Sequence, residues 1–184
     1  MRTLLFLLEE PSARDLLEGL LPRLLPGHTV PRYLVFEGKQ DLERNVMRKI
    51  QGWQRPDTRF VVLRDQDAGD CRAVKTHLVS LVPPERRSLT TIRVACRELE
   101  SWALGDWAAV AKAFDRPKLA DLDRKRTYRT PDSLHNPVHE LRKHLPTYQK
   151  RDGARRLGPL LTPEHNRSRS FQLFCRTITT VAQP

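Results

Sequence analysis

An α/β fold is what the 184-residue sequence predicts: a mainly parallel sheet flanked by helices, followed by a basic, mostly helical or irregular C-terminal extension. Three observations predict it. Four short apolar runs alternate with stretches of helical period, the first and third runs end on carboxylates, and the pattern gives way near residue 116 to polar, proline-punctuated sequence. Strands alternating with helices of about 10 to 15 residues argue for βαβ units, and strands covered on both faces read as continuous apolar runs.

The first strand is the run 3–8, which stops at Glu9-Glu10. Ser12, with Asp15 three residues on, predicts a capping box opening a helix whose Leu16, Leu17, Leu20 and Leu21 share one face. Pro22 and Pro26-Gly27 end that element. Residues 30–36 read as a second strand, Gly38 as a turn, and 41–51 as a charged amphipathic helix. The third strand, 59–64, leads through Asp65, Asp67, Gly69 and Asp70 into a helix over 71–82 that Pro83-Pro84 closes. Residues 90–96 form the fourth strand, with Glu98, Glu100 and Trp102 close behind. Residues 1–115 thus read as an α/β domain. Residues 116–184 read as an extension packed on it, with short elements until 170–181, where Phe171, Phe174, Ile178 and Val181 recur at helical spacing.

Composition narrows the setting. The net charge is +11, of which residues 116–184 carry +9, with 15 of the 33 Lys and Arg but 6 of the 22 Asp and Glu. A polyanionic partner, nucleic acid above all, fits that charge. Lys150, Arg151, Arg155 and Arg156 are the candidate backbone-tracking cations. Cys71, Cys96 and Cys175 are widely spaced and form no CxxC pair, which predicts a reduced cytoplasmic protein. The six-residue apolar span at the start is too short for a secretory signal, and no run approaches the roughly 18 residues of a membrane span.

Carboxylates at the carboxyl ends of parallel strands stand where open α/β sheets bind ligands. Neighbouring strand tips lie about 4.8 Å apart, so Glu9 and the pair Asp65 and Asp67 are within reach of one ion. Along an extended chain residues i and i+2 face the same way, so an Asp-x-Asp triplet presents two carboxylates together. Hard oxygen donors suit Mg²⁺ or Mn²⁺, which keep positions for water and substrate phosphate. Asp70 is either a further ligand or the N-cap of the third helix. Glu98 and Glu100 are either ligands, a base for water, or favourable charge at a helix start. Lys39, after Gly38, reads as a phosphate contact or a solvated surface lysine. His135, His139 and His144 lack the glutamate placement of a zinc-protease signature. Trp53, Trp102 and Trp107 read first as core residues.

Glu9 after one strand, Asp65-Gln66-Asp67 after a later one, and a further acidic strand end together resemble the Toprim domain of primases, topoisomerases and OLD nucleases. The blocks Glu9-Glu10-Pro11-Ser12, Glu37-Gly38-Lys39-Gln40-Asp41-Leu42, Arg64-Asp65-Gln66-Asp67, Cys96-Arg97-Glu98-Leu99-Glu100-Ser101-Trp102, Tyr148-Gln149-Lys150 and Ser168-Arg169-Ser170-Phe171 resemble the Toprim-like bacterial family labelled domain of unknown function 4276. The resemblance implies that Glu9 coordinates metal or acts as general acid/base and that Asp65 and Asp67 bind metal. It also implies a nuclease, acting on DNA with an AAA-type ATPase encoded nearby, in antiphage defence. The alternatives are a non-catalytic Toprim-derived nucleic-acid-binding or sensor subunit, or an enzyme acting on another phosphate substrate such as a nucleotide. One departure concerns Glu10, which stands where many Toprim sequences have glycine.

Overall fold

The structure, a computed structural model, describes residues 1–183. Its sheet has four parallel strands, β1 (Arg2–Leu8), β2 (Thr29–Val35), β3 (Thr58–Asp65) and β4 (Thr90–Ala95), in the order β2-β1-β3-β4. Leu8 pairs with Leu63 and Asp65 pairs with Ala95, so Glu9-Glu10, Arg64-Asp65 and the exit of β4 stand level at the carboxyl edge.

Alternation along the strands divides the interior into two layers. Leu4, Phe6, Leu8, Val61 and Leu63 enter the larger core, while Leu5, Leu7, Phe60, Val62 and Ile92 enter the smaller one. The smaller core is closed by α2 (Lys39–Gln51), through Leu42, Val46 and Ile50, and by α3 (Cys71–Ser80), through Leu78. The larger core is closed by α1 (Pro11–Leu20), α4 (Glu100–Leu104), α5 (Trp107–Ala113), α6 (Pro137–His144), α7 (Lys150–Leu157) and α8 (Arg169–Ala182). Trp102 and Trp107 are fully buried in it, as the sequence predicts; Trp53 packs at the rim of the smaller core and donates Nε1 to the Thr58 hydroxyl.

Residues 116–168 hold three 3-10 turns and the two short helices α6 and α7. Tyr128, Leu141, Leu145, Tyr148, Leu157 and Leu161 nevertheless belong to the same buried cluster as β1 and β3. The last helix crosses back over the sheet. Phe171, Phe174 and Ile178 are fully buried at helical spacing, and the Ser168 side chain caps the helix by accepting from Phe171 N. Ser170 Oγ accepts from Trp102 Nε1 at 2.9 Å and from Cys96 N at 3.2 Å, and Thr29 Oγ1 donates to the Ala182 carbonyl at 3.2 Å.

Two helix starts show how the loops are fixed. Gly38, the N-cap of α2, has φ +94°, a conformation that costs glycine little and other residues much. At α1 the expected capping box is absent: Glu10 is the N-cap and its side chain accepts from no backbone N–H of the helix, taking the Ser12 hydroxyl as donor instead. Asp15 is drawn away by Arg151, whose Nε and Nη2 donate to its two oxygens at 2.7 and 3.2 Å. A charge-assisted two-point bond to a nearly buried carboxylate outweighs a local cap that solvent can replace. Among the described residues no helix is long and apolar enough to cross a membrane, and the three cysteines form no disulfide.

Candidate active site at the carboxyl edge of the sheet

Three elements supply carboxylates here. Glu9 and Glu10 follow β1, Asp65 ends β3, and Glu98 and Glu100 lead into α4. After Asp65 the chain turns sharply. Gln66 N donates to Ala95 O at 2.9 Å, Asp67 N donates to Arg97 O at 3.0 Å, and Asp67 lies in the left-handed region at φ +57°. Asp65 and Asp67 therefore do not face the same way, whereas an extended Asp-x-Asp triplet predicts that they would. Aspartate tolerates this region better than most side chains, and the two carboxylates diverge.

Two groups of cations divide the cluster. On one side the Arg64 guanidinium, 8% exposed, donates Nη1 to Glu43 at 2.9 Å and lies 3.8 Å from both Glu9 and Asp67. Lys39 Nζ donates to Asp67 at 3.0 Å. On the other side Lys150 Nζ lies 3.5 Å from Glu10, 3.6 Å from Glu100 and 3.8 Å from Glu98. Lys150 reaches this place because α7 packs on α1 through glycines. A Cβ on Gly19 would lie 2.6 Å from Pro159 Cδ, and one on Gly158 would strike the Leu16 carbonyl. Glycine at both points lets the backbones meet, so the first residue of α7 projects over the carboxylates.

The electrostatics follow from burial with too few cations. Burial pushes the Asp65 carboxyl well above its usual range; Glu100, Glu10 and Glu9 add repulsion and Lys150 opposes it. Burial likewise raises Glu100 to about 7 and raises Glu98, in both cases against Lys150. Glu9 is raised by burial, partly offset because its Oε2 accepts from Asp65 N at 3.1 Å. For Lys150 burial acts to lower the pKa, but Glu100, Glu10, Asp65 and Glu98 outweigh it and hold the ammonium above its usual value. One ammonium thus serves more negative charge than it neutralises. Glu100 Oε2 is buried with no hydrogen-bond partner, because Lys150 stops short of it.

The site residues expected from sequence are placed as follows. Glu9, Glu10, Asp65, Asp67, Glu98 and Glu100 come to one edge, with Lys39 on its rim. Asp70 caps α3, its Oδ1 accepting from Arg72 N and Ala73 N at 3.0 and 2.9 Å. Of the four cations read as a nucleic-acid grip, Lys150 turns into the carboxylates and Arg151 holds Asp15. Arg156 bonds Asp152 at 2.8 Å and lies over the Phe114 ring. Arg155 is exposed and forms no ion pair among the described residues. Sequence reading missed Arg64 and Glu43. The signal was an arginine at the inner end of an apolar run, since a buried guanidinium demands partners. It also missed Tyr148, whose buried ring lies against Gly153 beside Glu100 and Lys150. His144 shares a 3.0 Å hydrogen bond with the Tyr128 hydroxyl.

Among the described residues no three His, Cys, Asp or Glu side chains converge as a preformed metal cage. The donor chemistry still suits a hard divalent cation: the acidic side chains at this edge offer oxygen donors, they are under-neutralised, and the Glu100 oxygen has no partner. No curated protein and no solved structure matches the chain. The family described as domain of unknown function (DUF4276) matches residues 8–179, nearly the whole length, and the chain belongs to that family.

Proposed function

We propose that this protein is a Mg²⁺- or Mn²⁺-dependent nuclease that hydrolyses phosphodiester bonds of DNA at the carboxyl edge of its sheet. The observation that carries the reading is the buried, under-neutralised carboxylate cluster, with Glu100 Oε2 left without a partner. Clustered like charges repel unless a cation compensates, and a purely structural edge has no need of them. Asp65, with Glu10 and Glu100 around it, would hold the ion, Asp67 would join on release from Lys39, and Glu9 would serve either as a further ligand or as the base. A bound divalent ion supplies Lewis-acid polarisation of the phosphoryl oxygen and a lowered pKa for water. As the base, Glu9, raised in pKa by burial and accepting from Asp65 N, would take a proton from that water. Lys150 and Lys39 supply positive charge for the phosphate. The DNA substrate, the partnership with an AAA-type ATPase and the role in antiphage defence rest on the Toprim resemblance.

Lys150 favours a second reading. An ammonium already set among Glu10, Glu98 and Glu100 is what a non-catalytic binding or sensor subunit would keep in place of a metal. Nicking of supercoiled plasmid in Mn²⁺ separates the two. The nuclease reading expects nicking that is lost in Asp65→Ala/Asp67→Ala and reduced about a hundredfold in Glu9→Gln, as for a group acting in the transition state. DNA binding without cleavage in any divalent metal, alone or with the ATPase, selects the subunit reading.

A further inference from the structure

Beyond β4, on the side away from β3, a cleft of about 260 Å³ lies between α3 and α8. Arg72 and Lys75 on α3, Arg93 on β4 and Arg169 at the start of α8 line it. None of the four forms an ion pair among the described residues. Arg93 is the telling one. It is half-buried, and its Nε and Nη2 donate to the Thr177 hydroxyl while Nη1 reaches only the Ile92 carbonyl at 3.5 Å. Burial alone lowers its pKa, with no carboxylate to offset it. The single carboxylate in the lining, Asp132, is already engaged: its oxygens accept from Ser168 Oγ at 2.5 Å and Ser170 N at 2.7 Å. Both helix starts are also capped, α3 by Asp70 and α8 by Ser168, so the pull on an anion comes from the side chains. The walls are apolar at Ile92 and at Leu173, which is 38% exposed.

The half-buried Arg93 guanidinium with three exposed cations around it, Arg72, Lys75 and Arg169, matches a phosphate, and an apolar wall beside it suits a base or sugar. The volume lies just below the usual range of ligand pockets, roughly 300 Å³ upward, which restricts the occupant to about one nucleotide unit. We propose that this cleft is a phosphate site that takes one nucleotide unit, the phosphate against Arg93, Arg72, Lys75 and Arg169 and the base or sugar against Leu173. The nucleotide unit belongs either to a nucleic-acid strand or to a free mononucleotide. The site is separate from the carboxylate edge and stands whether or not that edge cuts DNA.

The test is calorimetric titration of the full chain at low salt, in buffer freed of divalent metal over chelating resin. Three probes are used: adenosine monophosphate, a ten-nucleotide oligothymidylate and inorganic phosphate. Binding of either nucleotide probe is expected, weakened at least tenfold in Arg93→Gln and in Lys75→Ala/Arg169→Ala. The second variant alters exposed side chains only, so it reads the cleft even if Arg93→Gln unfolds. Binding of the mononucleotide identifies a free ligand; binding of the oligonucleotide alone identifies a strand. The proposal fails if neither nucleotide probe binds at millimolar concentration, or if Lys75→Ala/Arg169→Ala binds within twofold of the parent. Because metal is absent throughout, failure here leaves the nuclease reading standing, and loss of plasmid nicking leaves this one standing.

Discussion

At the carboxyl edge, Glu9, Glu10, Asp65, Asp67, Glu98 and Glu100 share three cations, Lys39, Arg64 and Lys150. In the cleft beyond β4, four cations face one carboxylate whose oxygens are already bonded. Each region therefore lacks counter-charge, with opposite sign, across the width of one strand. A basic net charge alone would not reveal this, because the +11 total hides a negative edge beside a positive one. The charges are sorted by the sheet rather than by chain segment: Lys150, from the basic C-terminal part, serves the acidic edge, while Arg72, Lys75 and Arg93 of the α/β part are three of the cleft's four cations.

A large effect, present at every pH, is expected from removing the cation that holds the edge together. Lys150→Met leaves Glu10, Glu98 and Glu100 facing one another. Breaking a buried pair costs about 3–5 kcal/mol, and for a side chain 35% exposed the figure is discounted to about 2 kcal/mol. Urea unfolding should show that loss in metal-free buffer, and Mn²⁺ should restore more stability to the variant than it adds to the parent. A variant as stable as the parent, with the same response to Mn²⁺, would show that the edge carries no excess charge.

A comparable but pH-dependent effect belongs to Glu100. Its pKa rises on folding from about 4.5 to about 7 through burial, so between those values the unfolded chain gives up its proton while the folded one keeps it. The folded state binds more protons there, and stability falls as pH rises through that window. Over the whole window the difference is about 3 kcal/mol at most. Glu100→Gln carries no proton to lose and should therefore gain on the parent from pH 5 to pH 7, with no further gain above. Parallel stability curves for the two proteins would contradict the burial of this carboxyl.

The smallest effect sharpens the border between edge and cleft. Asp70→Ala should cost about 1 kcal/mol through loss of the α3 cap, while Asp70→Ser should keep most of it. If Asp70 serves the helix alone, Mn²⁺ affinity measured by calorimetry is unchanged in both. A matched loss of affinity would make Asp70 part of the edge.

The four strands, α1 to α3 and α8 were legible because each carries its own periodic apolar signal, as in the run before Glu9 or Phe171, Phe174 and Ile178. Residues 116–168 were not, since 3-10 turns such as Pro131–Ser133 have no period to read and are held by partners distant in sequence. The carboxylates of the edge were visible as charges ending apolar runs. Their pairing was not: Lys150 meets Glu10 across 140 residues, and in sequence it reads as one of a run of backbone-tracking cations until the α1–α7 contact is known. Asp67 shows a subtler limit. Its carboxylate is where the triplet puts it in sequence, but a left-handed backbone turns it toward Lys39.

The return of α8 across the sheet bears on the order in which the molecule assembles. The smaller core draws on α2, α3 and strands complete by Ala95, so it can close while synthesis continues. The larger core waits for Phe171, Phe174, Ile178 and Ala182. At about 5–20 residues per second, the ninety or so residues between those points take roughly 5–20 s. Through that interval Phe6, Leu8, Val61 and Leu63 lie on the less finished side of the sheet, with α1 as their first cover. The nascent chain thus passes through a half-built stage whose apolar face is covered piecemeal, by α1 first, then by α4 to α7, and is completed by α8.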